Sequence, residues 1–159
     1  MKYYKTYYNS PVGKLTLISD GSSLVALYFN DTEGKGVERR DDLDIFNKTK
    51  DWLDKYFKGE KPLIRELSLS PKGTLFREEV WNILCAIPYG ETVTYKEVAR
   101  RLNRGNMSSQ AVGGAVGHNP IPIIIPCHRV IGSDGSMVGY ASGIERKVWL
   151  LKHEGVDVE

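Results

Sequence analysis

Short runs of strand-favouring residues dominate the first third of the chain and predict a small antiparallel sheet. Residues 3–8 are rich in tyrosine, and "KLTLIS" at residues 14–19 alternates apolar and polar positions. The turn "DGSS" separates this run from a second apolar run, "LVALYF" at residues 24–29, as in a β-hairpin. We therefore expect a hairpin that is joined by the first run as a third strand.

A helical spacing of apolar residues follows, within "LDIFNKTKDWLDKYFKGE" at residues 43–60. Its apolar stripe consists of Leu43, Phe46, Leu53 and Phe57. Such a stripe is typical of a helix that packs on a sheet, and Gly59 supplies a stop at its C-terminal end. The first part of the chain is therefore predicted to be a small α/β unit.

A proline-containing segment, "KPLIRELSLSPKG" at residues 61–73, has little periodicity and is typical of a connection between domains. Beyond it the apolar spacing becomes helical. We therefore predict an α+β protein with an N-terminal α/β domain at residues 1–72 and a mainly helical domain at residues 73–159.

The helical part begins with "TLFREEVWNILCAI" at residues 74–87 and stops at "PYGE". Its predicted apolar face is formed by Phe76, Val80, Ile83, Leu84 and Ile87. Cys85 falls off this face, and no histidine or basic residue stands beside it in the sequence. We interpret Cys85 as a small, partly buried thiol without a chemical role.

Two shorter helices are predicted on either side of "NRGNMSS". Thr94 and Glu97 form a T-x-x-E capping box for the first, and Ser108 or Ser109 can cap the second, "QAVGGAVGH". The residues expected to face inward are Val98, Ala99 and Leu102 in the first helix and Ala111, Val112, Ala115 and Val116 in the second. Two short helices around a glycine-containing turn suggest a helix-turn-helix, with plain core packing as the alternative.

Charge and cysteine content narrow the classes of protein. The chain has 22 Lys and Arg against 20 Asp and Glu, a net charge of +2 that neither demands nor excludes a polyanionic partner. Its two cysteines, Cys85 and Cys127, favour a reducing compartment, and no Cys and His spacing suits a metal. The N-terminal residues lack a signal-sequence pattern and no run approaches about 20 apolar residues, so we expect a cytoplasmic protein without a membrane partner.

The second of the paired helices carries few side chains, because Gly113, Gly114 and Gly117 project almost nothing. Such a helix can approach another molecule closely but reads few base edges. Around it, residues 91–129 hold five Lys and Arg against two Glu, a local charge of +3. These cations and the helix N-termini at Thr94, Ser108 and Ser109 can bind phosphates without reading sequence. For Arg100, Arg101 and Arg104, an ordinary solvated helix face is the alternative.

A cysteine and a histidine adjoin at the end of "IPIIIPCHRVIG", residues 121–132. The apolar, proline-interrupted run before Cys127 predicts a rigid, buried lead that is not a regular central strand. A thiol attacks as the thiolate, and His128 can take its proton directly or through a water molecule. Neighbouring side chains of an extended chain point oppositely, which favours the water. By themselves these residues leave open whether Cys127 is a packed thiol or a nucleophile.

The motif "PCHRV" at residues 126–130 has matching segments on both sides. It is preceded by "AVGGAVGHNPIPIII" and followed by "GSMVGYASGIERKVWLLKHEG". Over residues 76–155 the sequence resembles the methylated-DNA-protein-cysteine methyltransferases, also called O6-alkylguanine-DNA alkyltransferases. The resemblance implies a ribonuclease H-like N-terminal unit, a winged helix-turn-helix, no cofactor, and a monomer that acts on double-stranded DNA.

The resemblance also implies a reaction, in which Cys127 takes the alkyl group from O6 of guanine once and irreversibly. O4-alkylthymine is left open as a second substrate. The implied catalytic residues are Cys127, His128 as the base acting through water, Glu154 polarising that histidine, Asn119 bracing the site, and Tyr95 assisting nucleotide rotation and the guanine leaving group. From the residues alone, Glu154 could equally be a solvated helix-end charge, Asn119 a turn residue before proline, and Tyr95 a packing residue.

The same resemblance implies a guanine pocket walled by Tyr140, with the Val130 carbonyl and the Ala141 amide at the edges of the base. One position departs from the family pattern, because Gln110 stands where an arginine often fills the space left by the flipped nucleotide. Glutamine can still wedge and donate hydrogen bonds, but it lacks the cation. The small residues of this helix suit the minor groove, which is about 6 Å wide.

Two rival functions remain at the level of sequence. A cysteine hydrolase would use Cys127 and His128, would need an oxyanion site and would turn over repeatedly. A non-catalytic binder of alkyl lesions would recognise the damage without becoming alkylated. The retained cysteine within "PCHRV" favours the transferase over both.

Overall fold

The computed structural model describes residues 1–102, 108–137, 140 and 143–158. The chain divides into two compact units, Met1–Lys72 and Gly73–Glu159. None of the helices among the described residues combines the length and apolarity that a bilayer crossing requires.

The N-terminal unit is a four-stranded sheet with one long helix. Its strands are β1 (Tyr4–Ser10), β2 (Gly13–Ser19), β3 (Leu24–Tyr28) and β4 (Glu38–Arg39), in the order β3-β2-β1-β4. The first three strands pair antiparallel, as predicted, with Tyr4 opposite Ser19 in the register of β1 and β2. The two-residue β4, which was not predicted, pairs parallel to β1.

The long helix α1 (Asp44–Phe57) covers the sheet of this unit and is followed by a 3-10 helix (Ile64–Glu66). Its buried side is formed by Ile45, Phe46, Thr49, Trp52, Leu53 and Tyr56. The predicted stripe was partly wrong, because Leu43 and Phe57 are half-buried at the helix ends. Gly59 does stop the helix. It adopts φ +85°, and its N–H donates to the Tyr56 carbonyl while that of Glu60 donates to Lys55, which is a Schellman motif.

Among its described residues, the C-terminal unit contains four α-helices, one 3-10 helix and a short two-stranded sheet. These elements are α2 (Leu75–Leu84), β5 (Val93–Thr94), α3 (Tyr95–Leu102), α4 (Ser109–Gly117), a 3-10 helix (Cys127–Arg129), β6 (Val130–Ile131) and α5 (Ile144–His153). Strands β5 and β6 pair parallel, with Val93 opposite Val130. This pairing places the start of α3 beside the residues that follow Cys127.

Helix α2 packs against both α3 and α4, and its core side differs from the prediction. Val80, Leu84 and Ile87 are buried as expected, whereas Phe76 and Ile83 are half-buried. The buried face also includes Trp81, which was missed; its indole N–H donates to the Ala115 carbonyl at 2.8 Å and ties α2 to α4. The predicted small N-terminal sheet-and-helix unit and helical C-terminal unit are therefore confirmed.

The paired helices α3 and α4 pack against each other. Thr94 accepts a hydrogen bond from the Glu97 N–H at 3.1 Å, and Ser108 accepts one from Ala111 at 3.0 Å, so both caps form. Val112, Ala115 and Val116 are buried, but Ala111 is exposed, contrary to the prediction. The connecting residues 103–107, including Arg104, lie outside the described residues.

Candidate active site

The segment before Cys127 is a buried turn that Asn119 holds at two points. The Asn119 side chain accepts from the Ile121 N–H at 3.0 Å and donates to the Ile125 carbonyl at 2.8 Å. The Ile125 N–H also donates to the Ile121 carbonyl at 2.9 Å, which closes the turn. Within the turn, Ile123 is fully buried and has φ +74°, a left-handed conformation that β-branched residues rarely adopt. The lead into Cys127 is thus rigid and irregular, as the prolines indicated.

Cys127 begins the 3-10 helix and is 6% exposed. Burial raises the pKa of its thiol to about 11, against the opposing effects of a hydrogen bond from Asn119 and of the nearby Lys147 ammonium. The thiol is therefore protonated at neutral pH in the free protein. A reaction at this sulfur needs a group that can remove the proton.

His128 is the nearest such group in sequence, and it is paired with Glu154. Both side chains are fully buried, and His128 Nε2 lies 2.6 Å from Glu154 Oε2. Burial lowers the pKa of His128, and the Glu154 carboxylate does not fully offset that effect. Because the carboxylate only accepts, a neutral His128 must carry its proton on Nε2. Its Nδ1, buried and without a hydrogen-bond partner among the described residues, is then the basic nitrogen.

Glu154 lies at the C-terminal end of α5 and is 6% exposed as a whole residue, but its side chain is 0% exposed. It is therefore a buried carboxylate and not a solvated helix-end charge. Arg129 binds it bidentately, from Nε to Oε1 at 2.8 Å and from an Nη to Oε2 at 3.0 Å. The Gly90 N–H donates to Oε1 at 3.1 Å. Burial raises the pKa of Glu154, but the hydrogen bonds from His128 and Arg129 outweigh it and hold that pKa well below its usual range.

Lys147 supplies a second buried cation. It lies on α5, is 1% exposed, and donates to the Val130 carbonyl at 2.6 Å. Its ammonium is 5.9 Å from the centroid of the Tyr95 ring. Burial lowers the pKa of Lys147 to about 8, while the Cys127 thiolate would raise it. Lys147 is therefore placed to stabilise negative charge on the sulfur.

The two predicted tyrosines also lie near the sulfur. Tyr95 is the first residue of α3 and is half-buried; burial raises its pKa, and the charge of a Cys127 thiolate would raise it further. Tyr140 is 8% exposed, and burial raises its pKa well above the usual value. Ala141 lies outside the described residues. The structure thus brings together Cys127, His128, Glu154, Asn119, Val130, Tyr95 and Tyr140.

The other predicted DNA-binding residues lie at the starts of α3 and α4, where Thr94 is half-buried. Ser108, Ser109 and Gln110 are exposed at the start of α4, and a Cβ added to Gly114 would meet no atom within 4 Å. Arg100 and Arg101 both bind the Glu97 carboxylate, at 2.7 and 2.9 Å. This side of α4 is smooth, and part of the positive charge beside it is already paired.

Comparison with known proteins covers both units. Residues 3–71 match the family model for the 6-O-methylguanine DNA methyltransferase ribonuclease-like domain, and residues 75–156 match the model for the DNA binding domain of the same family. The chain belongs to the 6-O-methylguanine DNA methyltransferase family.

Individual members of this methyltransferase family are similar along nearly the whole chain. A methylated-DNA-protein-cysteine methyltransferase of Haemophilus influenzae is 42% identical over 96% of this chain and 87% of the relative. One of Methanosarcina acetivorans is 44% identical over 96% of this chain and 98% of the relative. A crystal structure of Mycobacterium tuberculosis OGT in complex with DNA is 41% identical, with a TM-score of 0.84, covering 97% of this chain and 92% of that one.

In this member of the methyltransferase family, Arg129 and Lys147 belong to the site but were not predicted to do so. Arg129 was counted only as part of a basic segment, because charged residues are usually solvated. For Lys147 a signal existed, since residues 147, 150, 151 and 154 are spaced as one helix face and include two leucines. A lysine on the same face as buried leucines and a site carboxylate indicates a buried cation.

Proposed function

We propose that this protein repairs DNA by direct reversal, as a single-turnover methyltransferase that moves the alkyl group from O6 of guanine to Sγ of Cys127. The observation that carries the proposal is the buried Cys127 beside His128, whose Nε2 is held by Glu154 while Nδ1 is left as a basic nitrogen. The names of the relatives and the family match over both units support the reaction class.

The chemistry begins with proton transfer from the Cys127 thiol to His128 Nδ1 through a water molecule. The sulfur then forms a bond to the alkyl carbon as the bond from that carbon to O6 breaks. The electron pair of the broken bond stays on the guanine, whose developing charge Tyr95 stabilises by donating a hydrogen bond. Lys147 stabilises the thiolate before attack.

The product explains why each molecule acts once. It is a thioether, which has no carbonyl carbon that water could attack, so Cys127 is not regenerated. Asn119 holds the backbone of the turn before Cys127, and its hydrogen bond to the sulfur opposes the rise in the pKa of the thiol. Tyr140, the Val130 carbonyl and the Ala141 amide form the guanine pocket; the carbonyl has a second lone pair besides the one that Lys147 uses.

The substrate is double-stranded DNA, bound by the C-terminal unit as a monomer. The exposed, nearly bare side of α4 fits the minor groove, and the helix N-termini at Thr94, Ser108 and Ser109 contact phosphates. An alkylated guanine must leave the stack to reach a buried thiol, at a cost of a few kcal/mol, and Gln110 fills the space that it leaves. A protein with Cys85 and Cys127 both free suits the reducing cytoplasm.

The test is incubation with duplex DNA that contains isotopically labelled O6-methylguanine, followed by peptide mass spectrometry. We expect one methyl group per protein on Cys127, full transfer by Cys85→Ser and none by Cys127→Ser. Binding of the damaged duplex without methylation would favour the lesion binder. Repeated turnover would favour a hydrolase, and methylation of Cys85 would contradict the mechanism.

A further inference from the structure

We propose that Arg129 is a positioning residue that keeps His128 neutral by neutralising the charge of Glu154. This inference rests on the proposed function, in which His128 must be unprotonated to accept the Cys127 proton. Its starting point is the buried triad in which one carboxylate contacts an imidazole at 2.6 Å and a guanidinium at 2.8 and 3.0 Å.

A buried carboxylate in contact with an imidazole has two opposing effects on catalysis. It orients the ring and fixes the tautomer, which helps a base. It also attracts a proton to the ring, because an opposite charge this close raises the pKa of a histidine. An imidazolium cannot accept the thiol proton. The Glu154 carboxylate therefore needs a counter-charge that leaves its orienting hydrogen bond intact.

Arg129 fits that requirement by geometry. Its two hydrogen bonds to Glu154 use both carboxylate oxygens, so His128 shares Oε2 with the guanidinium. Its remaining Nη donates to the Ile87 carbonyl at 2.6 Å, and its side chain is 7% exposed. Guanidinium stays protonated at all accessible pH values, so the compensation does not itself titrate. Arginine in this position is a fixed, bidentate counter-charge.

Helices α5 and α2 pack against the 3-10 helix that contains His128, and both bring titratable groups near it. Lys147 on α5 and Arg129 beside it both lower the pKa of His128, and Glu154 at the end of α5 raises it. From α2, Cys85 has its pKa raised to about 11 by burial and stays neutral. Cys127 is likewise protonated at neutral pH. Removing Arg129 therefore leaves the negative charge of Glu154 less neutralised. As a result, the His128 and Glu154 pair binds its proton more tightly.

The first experiment measures the rate of single-turnover methyl transfer against pH for the wild type, Arg129→Gln and Arg129→Lys. The rate should rise with pH as the histidine loses its proton. In Arg129→Gln that rise should move to higher pH by about one unit or more. In Arg129→Lys, which keeps the charge, it should stay closer to the wild-type position. Equal shifts in both variants, or a rate lowered by the same factor at every pH, would overturn the proposal.

The second experiment separates this inference from the proposed function and needs no variant that must fold. Nitrogen NMR of the free wild-type protein, without DNA, reports the protonation and tautomer of each imidazole. His128 should be neutral at pH 7 with its proton on Nε2, while His118 and His153 serve as internal references. An imidazolium at His128 would overturn the inference whether or not methyl transfer occurs. If His128 is neutral but the protein transfers no methyl group, the inference about Arg129 is retained and the proposed methyl transfer is refuted.

Discussion

At the scale of single residues, Ile123 is the clearest conflict between local preference and the fold. A left-handed β-branched residue costs on the order of 1–3 kcal/mol, and such strain persists only where the surroundings impose it. Here the surroundings are full burial of the side chain and the Asn119 amide, which bridges Ile121 and Ile125 on either side. The strained turn therefore lowers the stability of the fold but holds the backbone before Cys127 in one conformation.

Replacing Ile123 with alanine or glycine should separate strain from side-chain burial. Both changes remove the buried side chain, at about 2–5 kcal/mol, but only glycine accepts φ +74° freely. We expect Ile123→Gly to be more stable than Ile123→Ala by about 1 kcal/mol. Urea unfolding in a Trp52→Phe background measures this, because the remaining tryptophans, Trp81 and Trp149, report on the C-terminal unit.

A matched control lies on the exposed side of α4. Ala111 is a helical residue, so Ala111→Gly should lower the free energy of unfolding by about 1 kcal/mol. Alanine is thus expected to be the more stable residue at position 111, whereas glycine is expected to be the more stable one at position 123. If alanine is the more stable residue at both positions, Ile123 is not strained.

The buried His128 predicts a pH-dependent stability. Its pKa is lower in the folded than in the unfolded state, where it is about 6.5. Between these values the unfolded chain binds more protons, so stability rises with pH. The contribution is complete above about pH 6.5 and is lost as the pH falls toward the folded-state pKa. His128→Gln should therefore show a smaller loss of unfolding free energy from pH 7 to pH 5.

The control for this measurement is His118→Gln, at an exposed position at the end of α4. It removes an imidazole but leaves the buried His128 and Glu154 pair in place. A His128→Gln variant that loses as much stability on acidification as the wild type would contradict a depressed pKa.

The residues of the site were predictable in unequal measure. Cys127 and His128 stand in a specific motif, and the prolines before them indicated an irregular buried lead. The left-handed Ile123 was not predictable, because no local preference favours it and only the closed turn imposes it. Arg129 was missed for a related reason, because the burial of its charge depends on Glu154 and Ile87, which are distant in sequence.

At the scale of elements, apolar spacing and capping residues located α1 to α4 but placed their buried faces only approximately, whereas no spacing argument predicted α5. In α2, the tryptophan was overlooked because a large aromatic residue in a charged segment did not fit the aliphatic spacing, yet Trp81 is 2% exposed. In β2, the alternation of apolar and polar residues predicted the strand itself. Thr16 and Ser19 are nevertheless buried with their apolar neighbours. Alternation reveals the strand, but not what covers its second face.

The exposed start of α4 carries a prediction about DNA affinity. If Gln110 occupies the duplex as proposed, Gln110→Arg adds a cation at the nucleic acid. We expect tighter binding to duplex DNA and a salt dependence steeper by about 0.9 in the slope of log K against log salt. Fluorescence anisotropy over a range of salt concentrations measures both. The control is Asn47→Arg, an exposed position on α1 that adds the same charge. Equal gains in the two variants would show that net charge, and not the position on α4, is responsible.

At the scale of the whole molecule, the chain passes from the first unit to the second between Lys72 and Gly73. The residues just before and just after this point form hydrogen bonds within their own unit. Leu24 exchanges backbone hydrogen bonds with Ser68 and Ser70 at 2.9 Å, which fastens the end of the first unit to β3. In the second unit, the Gly73 N–H donates to Glu78 at 3.3 Å. A Cβ on Gly73 would lie 2.5 Å from the Trp81 ring, so the close approach requires glycine. Each unit thus has its own anchored end.

The division into units predicts that methyl acceptance belongs to the second unit alone. All the proposed catalytic residues lie between residues 95 and 154, and every hydrogen bond cited for them joins residues of Gly73–Glu159. A recognition sequence for a site-specific protease, inserted between Lys72 and Gly73, allows cleavage after folding. The purified fragment 73–159 should keep its helical circular dichroism and accept one methyl group on Cys127 from O6-methylguanine DNA.

The uncleaved insertion protein is the control, because its activity shows that the insertion itself is tolerated. A fragment that stays folded but accepts no methyl group would mean that the first unit contributes to the reaction.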